Sequence, residues 1–167
     1  MSTSAQDTQV DEVRLVERLL TEYGSSHKNA TNKLIHWFCV PAIVWCVIAL
    51  LWAVPTPAAF AAVPLLNWAT LALFGSLLYY IYMSPPLAVG FFAFAAACMG
   101  SIVAYERTVP FSLAAFATIV FVVAWIFQFI GHKIEGKKPS FFKDLQFLMI
   151  GPAWLMHFLY RKAGLAY

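Results

Sequence analysis

The chain has 167 residues, 62% hydrophobic and 11% charged, with a mean hydropathy of +0.73 and a formal net charge of +3. Soluble domains carry about a quarter charged residues, so the composition argues against a water-soluble globule; the basic residues gather at the two ends, which argues against a nucleic-acid stripe. No Gly-, Ser- or charge-rich linker divides residues 1–167, so they read as a single membrane domain: tail and amphipathic helix over 1–26, transmembrane core over 27–131, basic loop and interfacial helices over 132–167.

Met1 to Gln9 offers nothing apolar to pack and is expected to fray. The first thirty residues lack a basic head, apolar stretch and cleavage site, so the first apolar helix is expected to direct insertion itself. From Val10 to Tyr23 the residues Val13, Val16, Leu19, Leu20 and Tyr23 recur at helical spacing with charges between them, which predicts an amphipathic helix on the membrane or on the bundle. Gly24-Ser25-Ser26 stops it, and Ser25 or Ser26 is expected to cap the next helix. On that helix Asn29, Asn32 and His36 share a face, and Trp37 to Ala53 completes the first span, with a kink expected at Pro41.

Pro55-Thr56-Pro57 marks the exit, and Pro64 to Met83 predicts a second span. Ser84-Pro85-Pro86 starts the third, Leu87 to Ala104, whose Gly90, Ala93, Ala97, Gly100 and Ser101 predict a face buried against neighbouring helices. Pro110 opens the fourth span, which runs to Gly131. Beyond the basic residues Lys133 to Lys138, Ser140 is a candidate cap, and the two apolar pieces either side of Gly151-Pro152 are too short to cross, so they read as interfacial or re-entrant helices. The expected fold is all-α: an integral-membrane helical bundle of four transmembrane helices, an N-terminal amphipathic helix and C-terminal interfacial helices. Both termini then lie on one side with every Lys and Arg except Arg107, and the positive-inside tendency makes that side cytoplasmic. The membrane is expected to be the inner membrane of a bacterium, or the endoplasmic reticulum in a eukaryote.

All four histidines, His27, His36, His132 and His157, fall on that side and come from opposite ends of the chain. Each alone reads equally well as an interfacial histidine; together they suggest a metal site. Asn32 and His36, and Gln128 and His132, stand i, i+4, and His132 and Glu135 i, i+3, spacings at which an amide or carboxylate can fix an imidazole tautomer. Ligand type alone leaves iron, zinc, copper and nickel open. Cys39, Cys46 and Cys98 lie in apolar runs without metal spacing and read as small hydrophobes. The sequence contains no phosphate loop, dinucleotide fingerprint or Ser-His-Asp arrangement. The six tryptophans, Trp154 among them, read as interface belt and packing, with Trp125 set apart by its place below His132.

Tyr23, His27, Asn32, His36 and Pro41, taken with Trp125, Gln128, Gly131-His132, Glu135 and Pro139 and with Gly151-Pro152-Ala153-Trp154, resemble the membrane family of 2-hydroxy fatty acid dioxygenases, whose characterised fungal member acts in phytosphingosine breakdown. The resemblance runs from the N-terminal helix to residue 160; Cys39 departs from it, standing where glycine is expected. It implies an iron(II) enzyme, with Fe(2+) as cofactor, that uses dioxygen to shorten a 2-hydroxy fatty acid by one carbon without 2-oxoglutarate. By motif position it implies His27, His36, His132 and, in a less constant block, His157 as catalytic metal ligands. Tyr23 and Asn32 are expected to support them by hydrogen bonding, and Glu135 either does the same or ligates. Three histidines would leave room for a bidentate hydroxy acid plus dioxygen; four would leave less. Gln128, Lys33 and Lys133 are candidates for substrate contact, the lysines reading more readily as topology charges. Two other classes compete: a haem-binding or electron-transfer bundle, and a scaffold with incidental histidines.

Overall fold

The computed structural model describes residues 14–136 and 148–167. The expectations for Met1 to Gln9, for Ser140 as a cap and for the apolar piece from Phe141 to Phe147 fall outside those residues. The described residues form six α-helices and no strand: α1 (Leu15–Gly24), α2 (Ala30–Ala53), α3 (Trp68–Met83), α4 (Pro85–Thr108), α5 (Leu113–Glu135) and α6 (Ile150–Lys162), with a 3-10 turn at Ala58–Ala62. Three of them, α2, α4 and α5, are long and apolar enough to cross a membrane; α3, at 16 residues, is shorter. At about 1.5 Å per residue α3 rises about 24 Å, against a hydrocarbon core of about 30 Å.

Hydrogen bonds between helix ends fix their directions. Glu135, ending α5, bonds the backbone N–H groups of Lys28 and Asn29 before α2. The Tyr80 hydroxyl, late in α3, donates to the Met149 carbonyl before α6, and the Tyr160 hydroxyl donates to the Pro86 carbonyl at the start of α4. At the other end the Trp52 indole donates to Glu106. The four apolar helices therefore alternate in direction, and α1 and α6 cover the end where α2 and α4 begin. Of the described Lys and Arg residues, only Arg107 lies at the far end.

Each long helix begins at a side-chain cap. Asn29 Oδ1 accepts from the N–H groups of Thr31 and Asn32, so the cap of α2 is Asn29 and not Ser25 or Ser26. Ser25 is spent on α1, where its hydroxyl donates to the Glu22 carbonyl. Asn67 and Thr70 form a reciprocal capping box on α3, Ser84 caps α4, and Ser112 rather than Pro110 opens α5. Pro41 lies inside α2 without ending it. Pro152 is the third residue of α6, where a missing N–H leaves no helical bond unmade, so Gly151-Pro152 belongs to that helix instead of interrupting it.

Apolar side chains exposed on the outside, such as Phe38 at 72%, suit contact with lipid. Val16, Leu20 and Tyr23 of α1 pack with Ile150, Ala153 and Trp154 of α6, which matches the amphipathic reading of α1. Cys46 and Cys98 are free thiols packed in the apolar core at the far end, as small hydrophobes. The small-residue face of α4 is a correction. Ala93, Ala97, Gly100 and Ser101 are exposed, and a Cβ on Gly100 would meet nothing within 4 Å. The inward face is instead Leu87, Phe91, Ala95, Cys98 and Ile102; of the expected set Gly90 packs closely against α6 and Ser101 accepts a hydrogen bond from Trp45 of α2 at 2.8 Å.

Tyr80 is fully buried, stacked on Phe91 at 4.4 Å between ring centroids, and its hydroxyl anchors α6 at 2.5 Å. Tyr80→Phe keeps the stack but removes the hydrogen bond from α3 to the Met149 carbonyl. It is expected to lower stability in detergent by about 1–3 kcal/mol, measured by denaturant titration.

Candidate metal centre

The centre lies where α2 begins and α5 ends. His27 comes from the linker between α1 and α2, His36 from the second turn of α2 and His132 from the last turn of α5; all are buried. One nitrogen of each lies within 4.8 Å of the others. The ring centroids are 4.2 Å apart for His27 and His36, 5.5 Å for His27 and His132, and 5.2 Å for His36 and His132. The rings meet at 64° to 87°, so edges and not faces converge.

Two tautomers follow from partners. His27 Nδ1 lies 2.6 Å from the Tyr23 carbonyl oxygen and His36 Nδ1 2.9 Å from the Asn32 carbonyl oxygen. A carbonyl can only accept, so both Nδ1 atoms carry the proton and each Nε2 keeps its lone pair for a ligand. Histidines that bind metals are held in this way. Asn32 thus supports His36 with its main chain and not with the side-chain amide expected from the i, i+4 spacing.

That amide joins a clamp. Glu135 accepts at 2.8 Å from each of the Lys28 and Asn29 N–H groups and at 3.1 Å from Asn32 Nδ2. Asn32 Nδ2 also reaches the Ser26 carbonyl at 3.4 Å. Glu135 therefore supports the backbone that carries the candidate ligands, and it stands outside the three-histidine group. Both partners of Asn32 Nδ2 are acceptors, which sets the amide: nitrogen toward them, oxygen toward Gly131. A Cβ on Gly131 would lie 2.4 Å from Asn32 Oδ1, so the absence of a side chain there lets α5 approach α2.

Aromatic rings close the other side. Tyr23 stacks on His27 at 4.2 Å and 14°, and Trp154 of α6 lies 5.3 Å from His27 and 5.4 Å from Tyr23. Trp154 is buried, so it is part of the centre's wall and not of an interface belt. The signal for it was its place in the Gly151-Pro152-Ala153-Trp154 block. Gln128 and Trp125 line, with Tyr23, His36, Val40 and His132, a cavity of about 40 Å³. That volume admits water- or dioxygen-sized molecules.

His157 does not join the group. One turn beyond Trp154 on α6, it turns toward α1, where its Nδ1 pairs with the Tyr167 hydroxyl and it lines an open polar cavity with Arg14 and Arg161. Burial first, and then the neighbouring Arg161, hold its imidazole below the ordinary range, so it is neutral at pH 7. Lys33 is half-buried and Lys133 exposed, and neither lines the small cavity.

Buried imidazoles gathered at one end of a bundle with three membrane-length apolar helices define a helical membrane protein with a candidate histidine metal site. Comparison with known families goes further. The family model described as 2-hydroxy-palmitic acid dioxygenase Mpo1-like matches residues 13–163, and the chain belongs to that family. No curated protein and no solved structure matches the chain.

Gly131→Ala is expected to destabilise the protein by about 1–3 kcal/mol through overpacking, because Asn32 is held by two bonds and cannot yield. Gly100→Ala, in open space on α4, is expected to be neutral or to stabilise by up to about 1 kcal/mol. Parallel denaturant titrations of the two variants check this.

Proposed function

We infer that the chain is a non-haem iron(II) dioxygenase that carries out alpha-oxidation of 2-hydroxy fatty acids to acids one carbon shorter. The observation that carries this reading is the convergence of His27, His36 and His132 in a chain of a family described by 2-hydroxy-palmitic acid dioxygenation. The donor set fits such an ion: neutral imidazoles suit iron among the first-row metals, and the Nδ1–H bonds of His27 and His36 leave Nε2 to ligate. When bound, iron(II) supplies Lewis acidity toward the hydroxy acid and the redox chemistry that engages dioxygen. The overall reaction, RCH(OH)COOH + O2 to RCOOH + CO2 + H2O, balances with dioxygen as the only oxidant.

The chain's own residues supply the rest. Tyr23 and Asn32 carbonyls hold two rings in one tautomer and orientation, and the Glu135 clamp keeps the ligands of α2 and α5 in register. Tyr23, Val40, Ile43, Trp125 and Leu148 exclude bulk water from the small cavity, while Gln128 offers an amide within it to an oxygen atom of the substrate. Lys33 and Lys133 lie on the same basic end and favour approach of a carboxylate. That end faces the cytoplasm in a single membrane domain with four crossings, α3 serving as the shortest.

Alanine at His27, His36 or His132 in turn is expected to reduce bound iron in the purified protein to below about a tenth of the unmutated level and to abolish oxygen consumption with 2-hydroxyhexadecanoate, a loss on the scale of a removed ligand. His157→Ala is expected to keep the iron. Metal analysis together with an oxygen electrode reads both. Unmutated iron(II)-loaded protein that consumes no dioxygen with any 2-hydroxy fatty acid would refute the reading.

A further inference from the structure

Beside the metal cavity, between α2, α4 and α6, lies a second cavity of about 250 Å³, lined by Trp37, Pro41, Phe94, Leu155, Met156 and, on the side toward the histidines, Val40. Val40 lines both cavities. It stands one turn after His36 on α2, so the helix surface that carries a candidate ligand continues directly into the apolar wall. On α6 the partition is equally thin: Gly151 lines the metal cavity and the next residue, Pro152, lines the apolar one. A Cβ on Gly151 would lie 3.1 Å from Val40 Cγ1, so the glycine keeps this partition to the thickness of one side chain.

We propose that this cavity takes the acyl chain of the 2-hydroxy acid, with Val40 at the passage between headgroup and chain and with Gly90, Met156 and Tyr160 setting how much chain is accommodated. The assignment rests on the dioxygenase reading for the identity of the headgroup. A second apolar cavity of equal size lies between α3 and α4, lined by Leu73, Phe74 and Phe92, but it shares no residue with the metal cavity. Continuity with the histidines separates the two. Half-buried Trp37, Phe94 and Met156 and exposed Leu159 border the chosen cavity, giving a lipid-dissolved chain a lateral way in. Gly90 is the point of control. A Cβ there would lie 2.6 Å from the Tyr160 hydroxyl and 2.9 Å from Met156 Sδ, the ends of two side chains that can yield only by moving.

The test uses the full chain in phosphatidylcholine nanodiscs and a 2-hydroxyhexadecanoate carrying a diazirine near its methyl end. Photolysis and peptide mapping are expected to place the label on Phe94, Leu155 or Met156. Gly90→Val is expected to weaken 2-hydroxyhexadecanoate binding about tenfold, the equivalent of about two methylenes, with little change for 2-hydroxyhexanoate. Should that variant fail to fold, Met156→Ala provides the opposite change, and its preference is expected to move toward longer chains. Label on the α3 and α4 cavity, label spread evenly over lipid-facing residues such as Phe38, or an unchanged chain-length preference in Met156→Ala would overturn the proposal. Label at Met156 without oxygen consumption would leave the cavity standing and remove the dioxygenase reading; turnover with label elsewhere would do the reverse.

Discussion

The bonds from Glu135 across to the start of α2 are the constraint on which the rest depends. At the first turn of any helix several N–H groups lack intrahelical partners, and in the segment leading to α2 two backbone N–H groups, of Lys28 and Asn29, are met by a carboxylate delivered from the last turn of α5. Charge-assisted hydrogen bonds of this kind are roughly twice as strong as neutral ones, and the positive end of the helix dipole favours the negative partner. His27 immediately precedes this segment, and His132 is three residues before Glu135. Fixing the carboxylate therefore fixes the linker that carries one candidate ligand and the helix end that carries another.

The clamp can close only because two surfaces of α2 and α5 approach without obstruction. Gly131 faces Asn32, and the Asn32 amide lies between the α5 backbone on one side and Glu135 on the other. The same residue's carbonyl takes the Nδ1 proton of His36. Asn32 thus transmits the helix contact to ligand orientation through one residue's side chain and main chain. The aromatic wall of Tyr23 and Trp154 is a second support, brought by α1 and α6, and α6 is fastened to the bundle near both of its ends by the Tyr80 and Tyr160 hydroxyls. Histidine geometry in this fold depends on helix-end contacts more than on the helices' apolar bodies.

That dependence explains what could be read from the sequence. The apolar runs mark α2, α4 and α5 directly, and the resemblance, anchored on His27, His36 and His132, points to the family that the comparison shows. The clamp could not be read, since Glu135 meets residues more than a hundred positions away and chooses backbone groups, which leave no side-chain signature. The i, i+3 spacing from His132 points only to that histidine and carries no sign of the bonds by which the carboxylate reaches the start of α2. Trp154 faces the centre and His157 faces α1, a distinction that periodicity does not carry because α6 is buried over consecutive residues from Ile150 to Leu155. The small residues of α4 misled because lipid and protein neighbours are equally apolar, and sequence alone cannot distinguish a stripe facing one from a stripe facing the other.

The position of the centre at the end of the bundle follows from two requirements. Buried Asn32, His36, Gln128 and His132 are costly in an apolar environment unless hydrogen-bonded. Deep in the bilayer, regular helices have already used their backbone N–H and C=O groups on one another. At a helix end and its adjoining linker, backbone groups are still available, and the Tyr23, Ser26, Lys28 and Asn29 main chains supply them here. The second requirement is access. A ligand with a polar head and an apolar chain can satisfy both parts at once only where polar and apolar interiors adjoin. In this chain Val40 and Gly151 stand at that boundary, with histidines on one side and an unbroken apolar wall on the other.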